Sequence, residues 1–296
     1  MLPVLLDLKF VKIYTFGVFL VLSFFWGMFL LWRSIKLTSY KEEEIFDSLF
    51  IALFGGLFFA RLFYVLLNFS DFGFNLLKFI LINGYPGLSL FGGLLGGFLS
   101  LYLYFQLKKA DPLAVISYFM PSVFISLAIG KIGSFIAGID VGTKTKFFLS
   151  VNYLGFDGRR HLVGLYEGLF FGLGAYISYK ILLAVRREVF PKSFVFYFFC
   201  FYFSTVSLLL DKLKANHLYF FGRSFNLFFS LILSFVFAIY FIYFLGRQPS
   251  FQEQMDKAFN SLKLSFINYG QKTYQIITGK IKKGVDKTRE RIDKKD

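Results

Sequence analysis

Three ionisable side chains sit inside long apolar runs: Arg61 in GLFFARLFYVLLN, Lys131 in SLAIGKIGSFIAGIDVG and Glu167 in HLVGLYEGLFFGLG. Charge is costly in such surroundings and normally faces a cavity or a partner. Two cations and one carboxylate brought together would make a cationic pocket. Such a pocket can bind a phosphate, with the carboxylate as orienter or base. A structural ion pair is the alternative reading. His161 precedes Tyr166 and Glu167 by about a helical turn and a half. A histidine, a tyrosine and a carboxylate at a membrane boundary can manage a proton, although a lone histidine is more often merely hydrogen-bonded. With two histidines, one cysteine and Asp residues on separate loops, no metal site is expected. No nucleotide loop, nucleophile elbow or Ser-His-Asp order stands out, so no cofactor is expected either.

These residues need a scaffold of spanning helices. A span requires roughly 20 mostly apolar residues. Seven segments qualify, near 10–32, 47–68, 86–107, 113–138, 162–185, 193–210 and 221–246. The stretch 71–85 is shorter and reads as an interfacial or re-entrant piece. Ser126, Gly130, Ser134 and Gly138 recur every four residues around Lys131. Gly92, Gly93, Gly96 and Gly97 form overlapping pairs in the third segment. Both patterns mark faces where helices approach closely.

The fold class expected is an all-α integral membrane protein. It has about seven transmembrane helices over residues 1–246, a small outer-face head at 139–161 and a basic cytoplasmic tail at 247–296. Composition agrees: 56% of the 296 residues are hydrophobic and only 17% charged, against about a quarter charged in soluble domains. A net charge of +15 raises nucleic acid as a partner. The charge instead sits in short loops and in the tail, which holds 12 of the 33 Lys and Arg. That distribution fits membrane orientation and anionic lipid, not nucleic acid. The basic tail places the C-terminus in the cytoplasm and, after seven spans, the N-terminus outside. No cleavable signal peptide is expected, for lack of a basic start and a small-residue cleavage site. Cys200 reads as a small buried hydrophobe. Phe251, Met255, Phe259, Leu262 and Phe266 give the tail near-helical apolar spacing, which suits an amphipathic surface helix or a solvated extension.

Six segments in order resemble the prolipoprotein diacylglyceryl transferase family over residues 10–245. VKIYTFGVFLVLSFFWG resembles its first span and puts Tyr14 at the family's tyrosine. ARLFYVLLN resembles its Gly-Arg-aromatic-Tyr-Val segment, and FGGLLGG its His-Gly-Gly-Leu-Ile-Gly motif. AIGKIGSFIAGIDVG resembles its signature Gly-Arg-Ile-Gly-Asn-Phe-Ile-Asn-Gly-Glu, including Gly138. HLVGLYE resembles its His-Pro-x-Gln-Leu-Tyr-Glu, and LYFFGRSFNL its last-span opening. The departures are specific. Phe91 replaces the motif histidine and Lys131 the signature arginine. Ser134 and Ala137 replace two asparagines, and Ile139 the glutamate, with Asp140 one place later. Ser204 and Leu208 stand where the sixth span carries Arg and Glu, with Asp211 as a candidate shifted acid and Arg223 as a candidate displaced cation.

The resemblance implies transfer of a diacylglyceryl group from phosphatidylglycerol to the lipobox cysteine of prolipoprotein signal peptides, in the bacterial cytoplasmic (inner) membrane. It implies Arg61, Lys131, Gly138, Tyr166 and Arg223 toward the lipid phosphate. It implies His161, Glu167, Asp140 and Tyr14 for catalysis. Lysine in place of arginine keeps the charge but loses the bidentate fork. Two other classes remain open. One is a non-catalytic relative that binds phospholipid or signal peptides. The other is a small transporter, against which stands the absence of an inverted repeat.

Overall fold

The computed structural model describes residues 2–8, 11–82, 84–220 and 222–247. The chain opens with a hairpin, β1 (Val4–Leu8) against β2 (Val11–Tyr14). It leads into α1 (Thr15–Ile35), and α2 (Glu42–Leu67) follows. Two short helices, α3 (Phe69–Phe72) and α4 (Leu76–Ile80), precede α5 (Leu90–Leu107) and α6 (Pro112–Ala137). A second hairpin, β3 (Ser150–Asn152) with β4 (Arg159–His161), joins α6 to α7 (Val163–Arg186). Next comes α8 (Phe194–Asp211). A third hairpin, β5 (Tyr219–Phe220) with β6 (Arg223–Ser224), leads to α9 (Phe225–Gly246). The chain clusters into two compact units, Met1–Phe237 and Ala238–Asp296. The described part of the second is the last stretch of α9 and Arg247. The tail reading at 251–266 lies outside the described residues.

Seven of these helices are long and apolar enough to cross a membrane: α1, α2, α5, α6, α7, α8 and α9. The chain is thus an all-α integral membrane protein. The expected first span was too long at its start. Residues 11–14 pair with β1 instead, and the Thr15 hydroxyl and amide close back on the Leu2 and Pro3 carbonyls. The stretch 71–85 contains α3 and α4, too short to span.

Within the first unit α6 is the shared wall, packing against α1, α5, α7 and α8. It is the most enclosed helix, with 56% of its apolar window buried against 6% for α9. Local chemistry sets its ends. Asp111 caps the N-terminus by accepting from the Ala114 amide at 3.3 Å, with Pro112 at the first helical position. At the other end Gly138 takes the left-handed conformation (φ 76°). The Gly138 and Ile139 amides then reach back to Phe135 O at 3.1 Å and Ser134 O at 2.9 Å. This glycine-dependent closure turns the chain sharply just before Asp140.

Seven successive crossings put all three hairpins and the α3–α4 segment in connections at one end. Hydrogen bonds join several of them there. Leu2 N donates to Ile136 O (2.9 Å), Thr143 N to Leu213 O (2.8 Å) and Ala215 N to Val141 O (2.9 Å). Isolated bridges pair Gly142 with Lys214 and Lys144 with Arg160. The segment 139–161 is therefore tied both to the α8–β5 connection and to itself.

The glycines of α5 bring it against α2. A Cβ on Gly96 would lie 2.7 Å from the Gly55 carbonyl oxygen and collide with Phe59, whereas one on Gly130 of α6 would meet nothing within 4 Å. Gly96→Leu is expected to lower stability in detergent by about 1–3 kcal/mol through overpacking. Gly130→Ala is expected to be neutral or slightly stabilising. Thermal unfolding of the two variants checks both; equal losses would show that the α2–α5 approach does not depend on Gly96.

Candidate functional site

The α6 turn at Gly138 and the start of α7 bring three of the expected residues together. Lys131 Nζ lies 2.7 Å from Glu167 Oε2 and 2.9 Å from Asp140 Oδ2. A fourth residue, not among the expected site residues, completes the arrangement: Lys214 Nζ lies 2.6 Å from Glu167 Oε1. The result is a chain of alternating charge, Asp140–Lys131–Glu167–Lys214. Glu167 is 1% exposed, so its charge is sustained by the two ammonium groups on its two oxygens. The Ser134 hydroxyl lies 2.8 Å from Asp140 Oδ2 and 2.9 Å from Lys131 O. Lys214 was hard to foresee because it reads as one more loop cation. Its place depends on the bridge to Gly142, which only the tertiary fold reveals.

Asp140 lies beyond the end of α6. Burial alone would raise its pKa. The Lys131 ammonium, the Ser134 hydroxyl and Lys214 outweigh that and hold the carboxyl below its ordinary value. Nearby Tyr153 is buried, and burial pushes its phenol up to about 12. Its hydroxyl stays protonated and donates to the His161 carbonyl at 3.4 Å.

Below this cluster runs a cavity of about 570 Å³ between α1, α2, α5 and α6. Phe16, Leu20, Phe24, Leu53, Phe119 and Leu127 line its apolar length, and Lys131, Ser134 and Asp140 line it as well. The small-residue stripe of α6 faces this space: Ser122, Ser126, Gly130 and Ser134 all line it. Ser126 also donates to Ser23 O of α1 at 2.9 Å. The space is amphiphilic, which suits a molecule with hydrocarbon chains and an anionic head.

The other expected residues are placed elsewhere. Arg61 is buried but donates from Nε to Phe79 O (2.9 Å), from Nη1 to Gly87 O (2.9 Å) and from Nη2 to Lys78 O (2.6 Å). Its guanidinium pins the segment before α5 and does not join the cluster. The expected convergence of Arg61 with Lys131 and Glu167 is thus corrected: backbone carbonyls, not a shared pocket, compensate this cation. Likewise, His161 does not pair with Glu167, whose oxygens are taken by lysines. The His161 ring lies 6.1 Å from Phe147 and 6.4 Å from Tyr166, and its Nδ1 is buried without a hydrogen bond. Tyr166 donates to Leu149 O at 2.8 Å. Gly138 shapes the turn that delivers Asp140. Tyr14 precedes α1 and is 59% exposed. Arg223 is exposed on β6. No group of three or more His, Cys, Asp or Glu that could hold a metal lies among the described residues.

A family model described as prolipoprotein diacylglyceryl transferase matches residues 3–245. Curated proteins named phosphatidylglycerol–prolipoprotein diacylglyceryl transferase align with the chain. The one from Clostridium tetani is 31% identical over 153 residues, covering 52% of this chain and 61% of that protein. The one from Streptococcus suis is 26% identical over 230 residues, covering 74% and 84%. The one from Clostridioides difficile is 28% identical over 180 residues, covering 60% and 69%.

The charge chain predicts a stability pattern. Lys131→Ala leaves two carboxylates sharing Lys214 and is expected to cost about 3–5 kcal/mol; adding Glu167→Gln should recover part of it. Asp140 adds a pH dependence of fixed sign. Its folded pKa is lowered from 3.8, so its contribution is complete above that value and is lost as pH falls through the folded pKa. Thermal unfolding between pH 2 and 7 should show Asp140→Asn flattening the acid limb; an unchanged limb would exclude Asp140 as its source.

Proposed function

The chain belongs to the prolipoprotein diacylglyceryl transferase family, and we propose that it transfers the diacylglyceryl group of phosphatidylglycerol to the lipobox cysteine of prolipoprotein signal peptides, the first step of lipoprotein maturation. The observation that carries this reading is the amphiphilic cavity ending on Lys131. Hydrocarbon chains fill its apolar length, and the lipid phosphate meets the Lys131 ammonium. In the reaction the cysteine sulfur forms a bond to the terminal glycerol carbon of the diacylglyceryl group. The carbon–oxygen bond to phosphate breaks, its electron pair stays on the phosphate oxygen, and glycerol phosphate leaves. Cations preset around that oxygen stabilise the developing charge, and removing one such donor typically costs about 10²–10³ in rate.

Each member of the charge chain has a task in this reading. Glu167 and Asp140 hold Lys131 extended and fully charged at the cavity end, so its position is set before lipid arrives. Gly138 sets the turn that brings Asp140 back. Tyr166 anchors the β3 side through Leu149. Arg61 contributes by fixing the segment that leads into α5. Arg223 is an exposed cation on the same end, available to anionic headgroups before they enter.

The chain is a multi-pass bacterial membrane protein. Its proposed home is the cytoplasmic (inner) membrane, with the N-terminus outside and the basic tail of 247–296 in the cytoplasm. The membrane domain is proposed to extend over 1–246, with 139–161 as part of an outer-face head. That orientation puts the cavity end on the outer face, where signal peptides emerge.

Transfer of labelled diacylglycerol from phosphatidylglycerol to a lipobox peptide, by the purified full chain in mixed micelles, tests the reading. Lys131→Ala should lower kcat/KM at least 100-fold and Lys131→Arg should restore most of it. Ser126→Leu, which intrudes on the cavity, should chiefly raise KM for the lipid. Undiminished transfer by Lys131→Ala would remove the phosphate assignment.

A further inference from the structure

A second polar cluster stands at the end of α8, outside the chain of four charges. Asp211 is the last residue of that helix, and its side chain is 2% exposed. A buried carboxylate at a helix C-terminus faces the negative end of the helix dipole and needs compensation. Two groups face it. Ser224 donates to Asp211 Oδ1 at 3.2 Å, and His217 Nδ1 lies 3.6 Å from the same oxygen. The His217 Nδ1 is buried and makes no hydrogen bond, while its side chain keeps 17% exposure. The Tyr219 ring is the other neighbour, 6.2 Å away.

The Asp211 carboxylate stands just beyond hydrogen-bond distance of His217 Nδ1; once that gap closes, the contact fixes the tautomer and leaves the other nitrogen as acceptor. Such contacts are commonly long before substrate binds and tighten afterwards. His161 has no equivalent among the described residues: its ring neighbours are Phe147 and Tyr166, and its Nδ1 makes no hydrogen bond. Asp211–His217 also occupies a central place. The short connection between its two members carries Lys214, which reaches Glu167 at 2.6 Å. On the other side, Ser224 leads directly into Phe225. That ring lies 6.3 Å from Phe91, which lines a wholly apolar cavity of about 340 Å³ between α5, α6, α8 and α9.

Building on the transferase reading above, we propose that His217, oriented by Asp211, takes the proton of the acceptor cysteine thiol on the α8–α9 side of the bundle. The free ring nitrogen accepts the S–H proton. The thiolate, which is the reactive nucleophile, then forms the carbon–sulfur bond as the carbon–oxygen bond to phosphate breaks. The proton passes from His217 to the departing glycerol phosphate or to water, and the imidazole is restored. His161 is left as a member of the hairpin connection, tied in through its backbone amide and carbonyl.

The test separates thiol activation from transfer. The full chain is incubated with a lipobox peptide at pH 6.5 without phosphatidylglycerol, and thiol alkylation by iodoacetamide is timed. Wild type should accelerate alkylation at least tenfold over free peptide. His217→Ala and Asp211→Asn should abolish that gain, and added imidazole should restore it to His217→Ala alone. With phosphatidylglycerol present, His217→Ala should lose about 10²–10⁴ in kcat/KM for the peptide. Undiminished acceleration in His217→Ala, none in wild type, or loss in His161→Gln but not in His217→Ala overturns the proposal. Acceleration by wild type without any thioether product supports the thiol assignment and overturns the transferase reading instead.

Discussion

Glu167 holding a lysine on each carboxylate oxygen is the contact on which the rest of this end of the protein depends. A single carboxylate at 1% exposure could not remain charged in an apolar helix bundle without such partners. Its two lysines come from different places: Lys131 from the last turns of α6 and Lys214 from the α8–β5 connection. One residue of α7 thereby fixes two other parts of the chain. Asp140 extends the arrangement across the turn at Gly138. Removing Lys131 breaks two of the three links at once, whereas losing Asp140 or Lys214 leaves Lys131 and Glu167 still paired.

The helical scaffold was readable from composition because hydrocarbon solvent imposes a simple length rule. All seven spans fall within a few residues of their expected bounds, apart from the late start of α1 and the early start of α2. Alternation over Val11–Tyr14 has the period of a strand, but apolar content alone merged it with the helix that follows. Lys131 and Glu167 were legible because charge inside a span stands out. The same rule over-reached for Arg61. A buried cation can be compensated by backbone carbonyls as well as by a carboxylate, and no sequence pattern distinguishes the two. Lys214 and His217 were missed for the converse reason, and Asp211 was legible only as a shifted acid of the family pattern. They lie at a span end and in a short connection, where charge is ordinary, and only the pairing of 141–143 with 213–215 draws them inward.

Helix α6 explains why so much converges. It carries the Ser122–Ser126–Gly130–Ser134 stripe along the first cavity, Ile116 on the second, and Lys131 near its end. Small residues make room on one side without loosening the other, where Phe124 packs 4.6 Å from Phe199. The aromatic contacts of Phe91, Phe171, Phe199 and Phe203 fill the neighbouring space with apolar surface. Among the described residues the buried charged groups thus gather toward one end of the bundle, and the largely apolar interior below has room for hydrocarbon.

The four charges of the central chain sum to zero, and that sum has a consequence for how a ligand arrives. A neutral row of alternating charges casts almost no field beyond contact range, while isolated surface charges act over a Debye length of about 8 Å at physiological ionic strength. Long-range attraction therefore falls to the exposed cations of the hairpins, among them Arg159 and Arg223, and salt weakens it. In the proposed reading, the contact at Lys131 is short-ranged. Ionic strength should consequently govern how often an anionic headgroup visits, and leave almost untouched how long it stays.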